Sequence, residues 1–378
     1  MTHPLSPRAR HLRCAPTSFL WPSSNCSLMK YRHLISPETQ IYQLPEPFSL
    51  ESGELLLEVE VAYRCWGTLN ESGDNAVHIC HALTGSADAD EWWGPLFGEG
   101  RTFDGDRDFI VCSNVLGSCY GTTGPISLNP ATGKPYGRGF PAITVRDMVR
   151  LQWRLLQGLG VKKLKFVIGG SLGGMQVLEW GKLYPDYVDR IVSIAAAGRH
   201  SPWCIAMSEA QRQAIFADPN WCNGNYEEDS PPTTGLAAAR MMAMISYRAT
   251  ASFEERFGRE VQENGEFAIA SYLRYQGQKL VKRFDANTYV ALTEAMDRHD
   301  VSGGEGDYLA ALGAIAQPTL VVAIDSDLLY PPRDQQELVQ WMPNAQLEWL
   351  SSPHGHDAFL INMVALNELV MAFLAQGT

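Results

Sequence analysis

Apolar and polar positions change period along this chain in a way that separates strands from helices. "NAVHICHAL" and "DFIVCSNVLG" are short, mostly apolar runs that stop at glycine-rich or polar loops, as buried strands do. "LKFVIGG", "VDRIVSIAAAG", "QPTLVVAID" and "AQLEWLSS" read the same way. "ELLLEVEVAYRCWGT", from Glu54 to Thr68, alternates apolar and polar residues and predicts a half-exposed strand or hairpin arm. Between these runs the apolar spacing widens to three and four. "TVRDMVRLQWRLLQGLG" predicts a helix with a start signal in Thr144 and Asp147. "PPRDQQELVQWM" and "MVALNELVMAFL" predict two more near the end. Strands that alternate with helices imply a mostly parallel sheet covered by helices on both faces, the α/β class.

The alternation stops between Gly198 and about Gly304. "GLAAARMMAMISYRA" and "NTYVALTEAMD" carry helical spacing there, and the polar loop "DPNWCNGNYEEDSPPTTG" interrupts them. We read residues 199–304 as a helical lid inserted into a core of residues 29–198 and 305–378. Residues 1–28 differ again, with three arginines and no acidic residue. That composition resembles a transit peptide, but Met29 opens a more ordinary stretch. We expect an extension ahead of the true start and exclude it from the fold.

Composition narrows the function. The chain has 378 residues, 45% hydrophobic and 19% charged, enough for a full globular core. No apolar run reaches the roughly 18 residues of a membrane helix. A net charge of −12 argues against nucleic acid as a partner. The eight cysteines include no C-x-x-C pair, which predicts thiols in a reducing compartment, without a metal site or disulfide frame.

The candidate chemistry lies in "FVIGGSLGGMQVLEW". Gly169-Gly170-Ser171-Leu172-Gly173 fits G-x-S-x-G between a strand and a helix. Glycines there permit a strained turn that exposes the serine at a helix N-terminus, with the Leu172 N–H available to an oxyanion. In this architecture an acid and then a histidine follow the serine in the chain. "VVAIDSDLLYPP" supplies Asp325 and Asp327, and "LSSPHGHDAF" supplies His354 and His356, each after a late strand. Spacing does not choose within either pair. The second oxyanion donor belongs on the loop "CHALTG", at the N–H of Leu83 or Thr84, with His81 structural.

These segments, with "NVLGSCYGTTGPISLNPATGKPYG", "FPAITVRDMV", "ARMMAMISYR" and "GHDAFL", resemble the homoserine O-acetyltransferase family of α/β-hydrolase-fold acyltransferases from about Met29 onward. The resemblance implies a catalytic triad of Ser171, Asp327 and His356. It implies acceptor contacts from Arg240, Asp357 and Tyr247, with acetyl-CoA as co-substrate and no bound cofactor. It also implies a cytoplasmic enzyme of methionine biosynthesis, dimeric through the lid. A succinyl donor, a serine acceptor or plain ester hydrolysis are the rival readings. Arg274, Lys279, Lys282 and Arg283 form a basic stretch with two readings, coenzyme A phosphates or a solvated face. Tyr120 stands where the family commonly has glutamine, beside a loop that the donor path would follow.

Overall fold

The computed structural model describes residues 35–304 and 306–376; the expected extension over residues 1–28 lies outside them. Eight strands form one sheet: β1 Gln40–Gln43, β2 Glu60–Trp66, β3 Ala76–Cys80, β4 Phe109–Ser113, β5 Leu164–Gly170, β6 Ile191–Ile194, β7 Thr319–Ile324 and β8 Ala345–Leu350. Their order is β1-β2-β4-β3-β5-β6-β7-β8. β1 pairs with β2 and β2 with β4 antiparallel; every later pairing is parallel. The C-terminal ends of β3, β5, β7 and β8 therefore share one edge, which brings together loops far apart in the chain.

Both faces of the sheet are covered, as the alternation predicts. Successive residues of a strand point to opposite sides. In β5, Val167 joins one apolar cluster, while its neighbours Phe166 and Ile168 join another. The first cluster takes in helix α1, Val145–Gly158, and helix α2, Leu172–Leu183. The second takes in the C-terminal helix Met363–Leu374 through Leu366, Val370 and Phe373. The start signal of α1 is real: Thr144 accepts from Asp147 N, and Asp147 Oδ2 accepts from Thr144 N.

Two expectations fail. Glu54–Thr68 is not one half-exposed arm. Leu55–Leu56 pairs with Phe48–Ser49, Glu58 turns the chain with a φ of 53°, and β2 is mostly buried. The alternation misled because β2 lies inside the sheet with β1 and β4 on either side. The cysteines are not all thiols: Cys80, Cys112, Cys119, Cys204 and Cys222 are free, but Cys65, half-buried on β2, is disulfide-bonded. Sequence spacing carries no record of which thiols a fold brings together.

Between β6 and β7 the α-helices are α3 Pro202–Phe216, α4 Thr233–Ser246, α5 Thr250–Phe257, α6 Ala268–Val281, α7 Ala286–Asp297 and the short α8 Tyr308–Gly313. The neck of the insertion is closed by backbone bonds from His200 N to His299 O, 2.9 Å, and from Val301 N to Gly198 O, 2.9 Å. No single helix among the described residues is long and apolar enough to cross a membrane.

Candidate active site

β5 runs into α2 through Ser171, whose backbone sits at φ 59° and ψ −125°. A non-glycine residue there is strained, and the surroundings must hold it. They do so by packing too tight for side chains. A Cβ on Gly169 would lie 2.6 Å from the Gly173 carbonyl and 2.7 Å from the Cys80 carbonyl oxygen. One on Gly174 would lie 2.5 Å from the Ala196 methyl, and one on Gly170 would lie 2.8 Å from the Phe359 ring. The glycines let α2 approach β3 and β6 until the turn is fixed. The Ser171 N–H bonds to Ile194 O at 2.9 Å, which anchors the turn to β6.

The "CHALTG" loop leaves β3 beside this turn. His81 is structural there: its Nε2 accepts from Val115 N at 3.1 Å, and its Nδ1 lies 2.8 Å from the Ala82 carbonyl. Burial pushes its pKa down to about 4, so it stays neutral. Gln176 on α2 donates to His81 O, 3.2 Å, and to Leu172 O, 3.1 Å, and accepts from Gln152 at 2.7 Å. This buried chain of amides ties the loop bearing Leu83 to the helix start bearing Leu172.

The geometry chooses within the acid and histidine pairs. His356 Nδ1 lies 2.7 Å from Asp327 Oδ2, and both are buried. Asp327 Oδ1 accepts from Leu329 N at 2.8 Å and Tyr330 N at 3.0 Å, so the carboxylate is gripped at both ends. Asp325 instead accepts from Ser351 Oγ, 2.6 Å, and Ser352 N, 3.0 Å, bracing the loop after β8. His354 faces Ser252 of the insertion at 3.3 Å. Burial depresses the His356 pKa, but the charge and hydrogen bond of Asp327 outweigh it and leave the pKa raised. His356 Nε2 is buried with no hydrogen-bond partner. Phe359 packs against both parts of the site, since it abuts Gly170 and meets the His356 ring edge-on at 5.6 Å.

The insertion closes over this histidine. Tyr247, at the end of α4, places its ring 5.7 Å from His356, and Arg240 lies over that ring at 5.4 Å. Tyr247 O accepts from Asp357 N at 3.1 Å. A Cβ on Gly355 would meet the backbone of Arg248 and Ala249 at 2.6–2.7 Å, so insertion and histidine loop are in close contact. Tyr247 and Asp357 thus lie beside His356, with Arg240 over the Tyr247 ring.

Sequence reasoning missed two features here. Arg248 Nε forms an ion pair with Asp357 Oδ2 at 3.1 Å; its position next to Tyr247 was the only signal. Arg283 was grouped with a basic stretch, yet it donates to Thr84 O at 2.8 Å and to the Tyr120 hydroxyl at 2.7 Å, while that hydroxyl donates to Arg283 O at 2.8 Å. Arg283 and Tyr120 therefore fasten the "CHALTG" loop to the insertion. Arg274 pairs with Glu266.

Comparison with known proteins agrees with this geometry. A family model described as the alpha/beta hydrolase fold matches residues 75–362. The homoserine O-acetyltransferase of Nostoc punctiforme is 66% identical over 347 residues, 90% of this chain and 98% of that protein. Among solved structures, homoserine O-acetyltransferase from Bacillus anthracis superposes with a TM-score of 0.84 at 26% identity, covering 89% of this chain and 97% of that one. Esterase E22 superposes with a TM-score of 0.82 at 31% identity, covering 89% and 99%. With its serine elbow, its Asp327–His356 pair and a match along nearly the whole length of these relatives, the chain belongs to the homoserine O-acetyltransferase family of α/β-hydrolase-fold enzymes.

Proposed function

We propose that this chain transfers an acetyl group from acetyl-CoA to the hydroxyl of L-homoserine through an acetyl-serine intermediate. The observation that carries the reading is the setting of His356. One base lies beside an anion, Asp357, and a cation, Arg240, that has no carboxylate at ion-pair distance among the described residues. A zwitterionic amino acid meets both: its carboxylate can take two parallel hydrogen bonds from Arg240, and its ammonium can pair with Asp357. An ester hydrolase has no use for such a pair.

In the first half-reaction Ser171 Oγ bonds to the thioester carbon as His356 Nε2 takes its proton. The C–S bond then breaks, and the proton passes to the departing thiolate. In the second, His356 removes the acceptor's hydroxyl proton and the acceptor oxygen bonds to the acetyl carbon. The bond to Ser171 Oγ breaks, and the proton returns to that oxygen. Leu172 N–H and Leu83 N–H stabilise the oxyanion in both steps. Asp327 keeps the proton of neutral His356 on Nδ1, so that Nε2 is the base. Tyr247 walls the acceptor site, and the insertion limits attack by water.

No bound cofactor enters this scheme; acetyl-CoA is a co-substrate. We further propose a cytoplasmic homodimer. Among the described residues, half of the exposed large hydrophobic residues lie on the insertion, including Trp203, Ile245 and Tyr275, which supports pairing through that face. Sedimentation with and without Ile245→Glu tests the dimer.

The function is tested by thiol release with acetyl-CoA or succinyl-CoA against L-homoserine, L-serine or water. Acetyl-CoA with homoserine should give the fastest steady rate, and Ser171→Ala should abolish it. Release that ignores the acceptor would make the protein an esterase, as esterase E22 is named. Faster release with another pair would reassign the substrate.

A further inference from the structure

The Arg248–Asp357 ion pair has no part in the mechanism above, although Asp357 is the group proposed to receive the acceptor's ammonium. Arg248 Nε stands 3.1 Å from Asp357 Oδ2, with both side chains about five-sixths buried. Arg248 Nε has no well-aligned hydrogen bond, and Asp357 Oδ1 takes none among the described residues. A buried carboxylate with one oxygen against a fixed cation and the other open is half-occupied.

We propose that Arg248 is a positioning residue for the amino-acid acceptor: it fixes Asp357 through one carboxylate oxygen and leaves the other for the incoming ammonium. The inference rests on the acetyl-transfer reading, because only an acceptor with an ammonium gives the open oxygen a partner.

Two observations support it. Arg248 is held by its backbone, since the Gly355 turn packs directly on its Cα and carbonyl carbon. The backbone of Asp357 is held by its N–H on Tyr247 O. The two charges thus meet between elements already locked together, and the orientation of Asp357 costs the acceptor little entropy.

Arg248 also acts on Asp357 electrostatically. Asp357 is faced by Arg248, by Arg240 from α4, by His356 and more distantly by Asp327, with Arg240 also lying over the Tyr247 ring. Burial pushes its carboxyl up, and Arg248 opposes that more strongly than Arg240 or His356 does. Without Arg248 the acid form of Asp357 would persist to higher pH, and an uncharged carboxyl does not hold an ammonium. Arg248 also competes with the ammonium for negative charge, so one net positive charge from Arg240, Arg248 and Asp357 remains for the acceptor's carboxylate.

The test uses the full chain with Arg248→Met and Arg248→Lys, each measured in two half-reactions. The thiol burst with acetyl-CoA alone should stay within about twofold of wild type in both variants. In Arg248→Met the KM for L-homoserine should rise at least about tenfold, and the acid limb of kcat/KM for homoserine should move to higher pH. In Arg248→Lys, which keeps the charge but not the planar contact, KM should rise about threefold to tenfold with the acid limb unmoved.

An unchanged KM in Arg248→Met with an intact burst overturns the proposal, as does loss of the burst in the Lys variant. If Arg248→Met does not fold, the Lys variant decides, and an unchanged KM there overturns it. Failure of the underlying reading looks different, because wild-type acetyl-enzyme would then not be discharged by homoserine at all.

Discussion

Replacing Asp327 by asparagine exchanges one oxygen for an NH2 group and keeps the shape. The contacts dictate which way the amide turns. Leu329 N and Tyr330 N, at 2.8 and 3.0 Å, both donate to one carboxylate oxygen. Only the amide oxygen can accept them, so the NH2 group must face His356 Nδ1, 2.7 Å away in the wild type. A donor facing Nδ1 makes it the acceptor and moves the ring proton to Nε2. His356 then cannot accept the Ser171 proton. A triad left with the wrong tautomer loses about 10⁴ in rate, or about 5.5 kcal/mol at about 1.36 kcal/mol per decade. The pH dependence should move as well. Burial lowers the His356 pKa, and the charge and hydrogen bond of Asp327, with a lesser part from Asp357, raise it. The residual activity of Asp327→Asn should therefore have its acid limb at lower pH than wild type. Stopped-flow thiol release with acetyl-CoA over pH 5–9 measures both effects, with circular dichroism as the folding control. A burst rate within tenfold of wild type, or an acid limb that stays or rises, would refute the reasoning.

Three further substitutions probe separate links. Arg240→Ala should leave the acetyl-CoA burst intact and raise the KM for homoserine by about tenfold to a hundredfold, as expected for a lost charged bidentate contact; disappearance of the burst would give Arg240 another job. Gly169→Ala puts a methyl 2.6–2.7 Å from two carbonyl groups of the backbone that cannot rotate away; it should cost about 3 kcal/mol in urea unfolding and misplace Ser171, and a fully active, equally stable variant would disprove the tight-turn account. Glu179, buried on α2 against Arg146, has its pKa raised to about 7 by burial despite that arginine. The folded state then holds a proton between pH 4.5 and 7 that the unfolded chain has released, so stability falls as pH rises through that window. Glu179→Gln removes the effect, and its stability relative to wild type should improve by up to about 3 kcal/mol from pH 4.5 to 8. A constant difference across that range would count against it.

Ser171 was legible because the elbow is a local device. A strand, two glycines, a serine and two more glycines leave few other conformations, and the observed φ of 59° is the strain that this pattern accommodates. The order of serine, acid and histidine was legible because parallel strands put their loops on one edge. Asp325 against Asp327 and His354 against His356 were not legible from spacing: all four residues occupy the same two loops, and two residues' difference decides which carboxylate meets a ring nitrogen. Family resemblance pointed to Asp327 and His356, and these two are in contact at 2.7 Å. Arg283 was not legible in this way. Its basic stretch allowed coenzyme A phosphates or a solvated face, and neither reading points to its partner Thr84, about 200 residues away in the chain.

The sequence by itself determined the alternation of strands and helices, the helical insertion, the serine turn and the loops that lie at its edge of the sheet. Each of these depends on short-range period, turn chemistry or chain order. Only the tertiary structure decided which acid grips which histidine, that Arg248 occupies one face of Asp357, and that Arg283 and Tyr120 fasten the "CHALTG" loop to the insertion. Those contacts join residues tens to hundreds of positions apart. A charged or polar side chain finds its partner by where the fold buries it, and no local pattern records that.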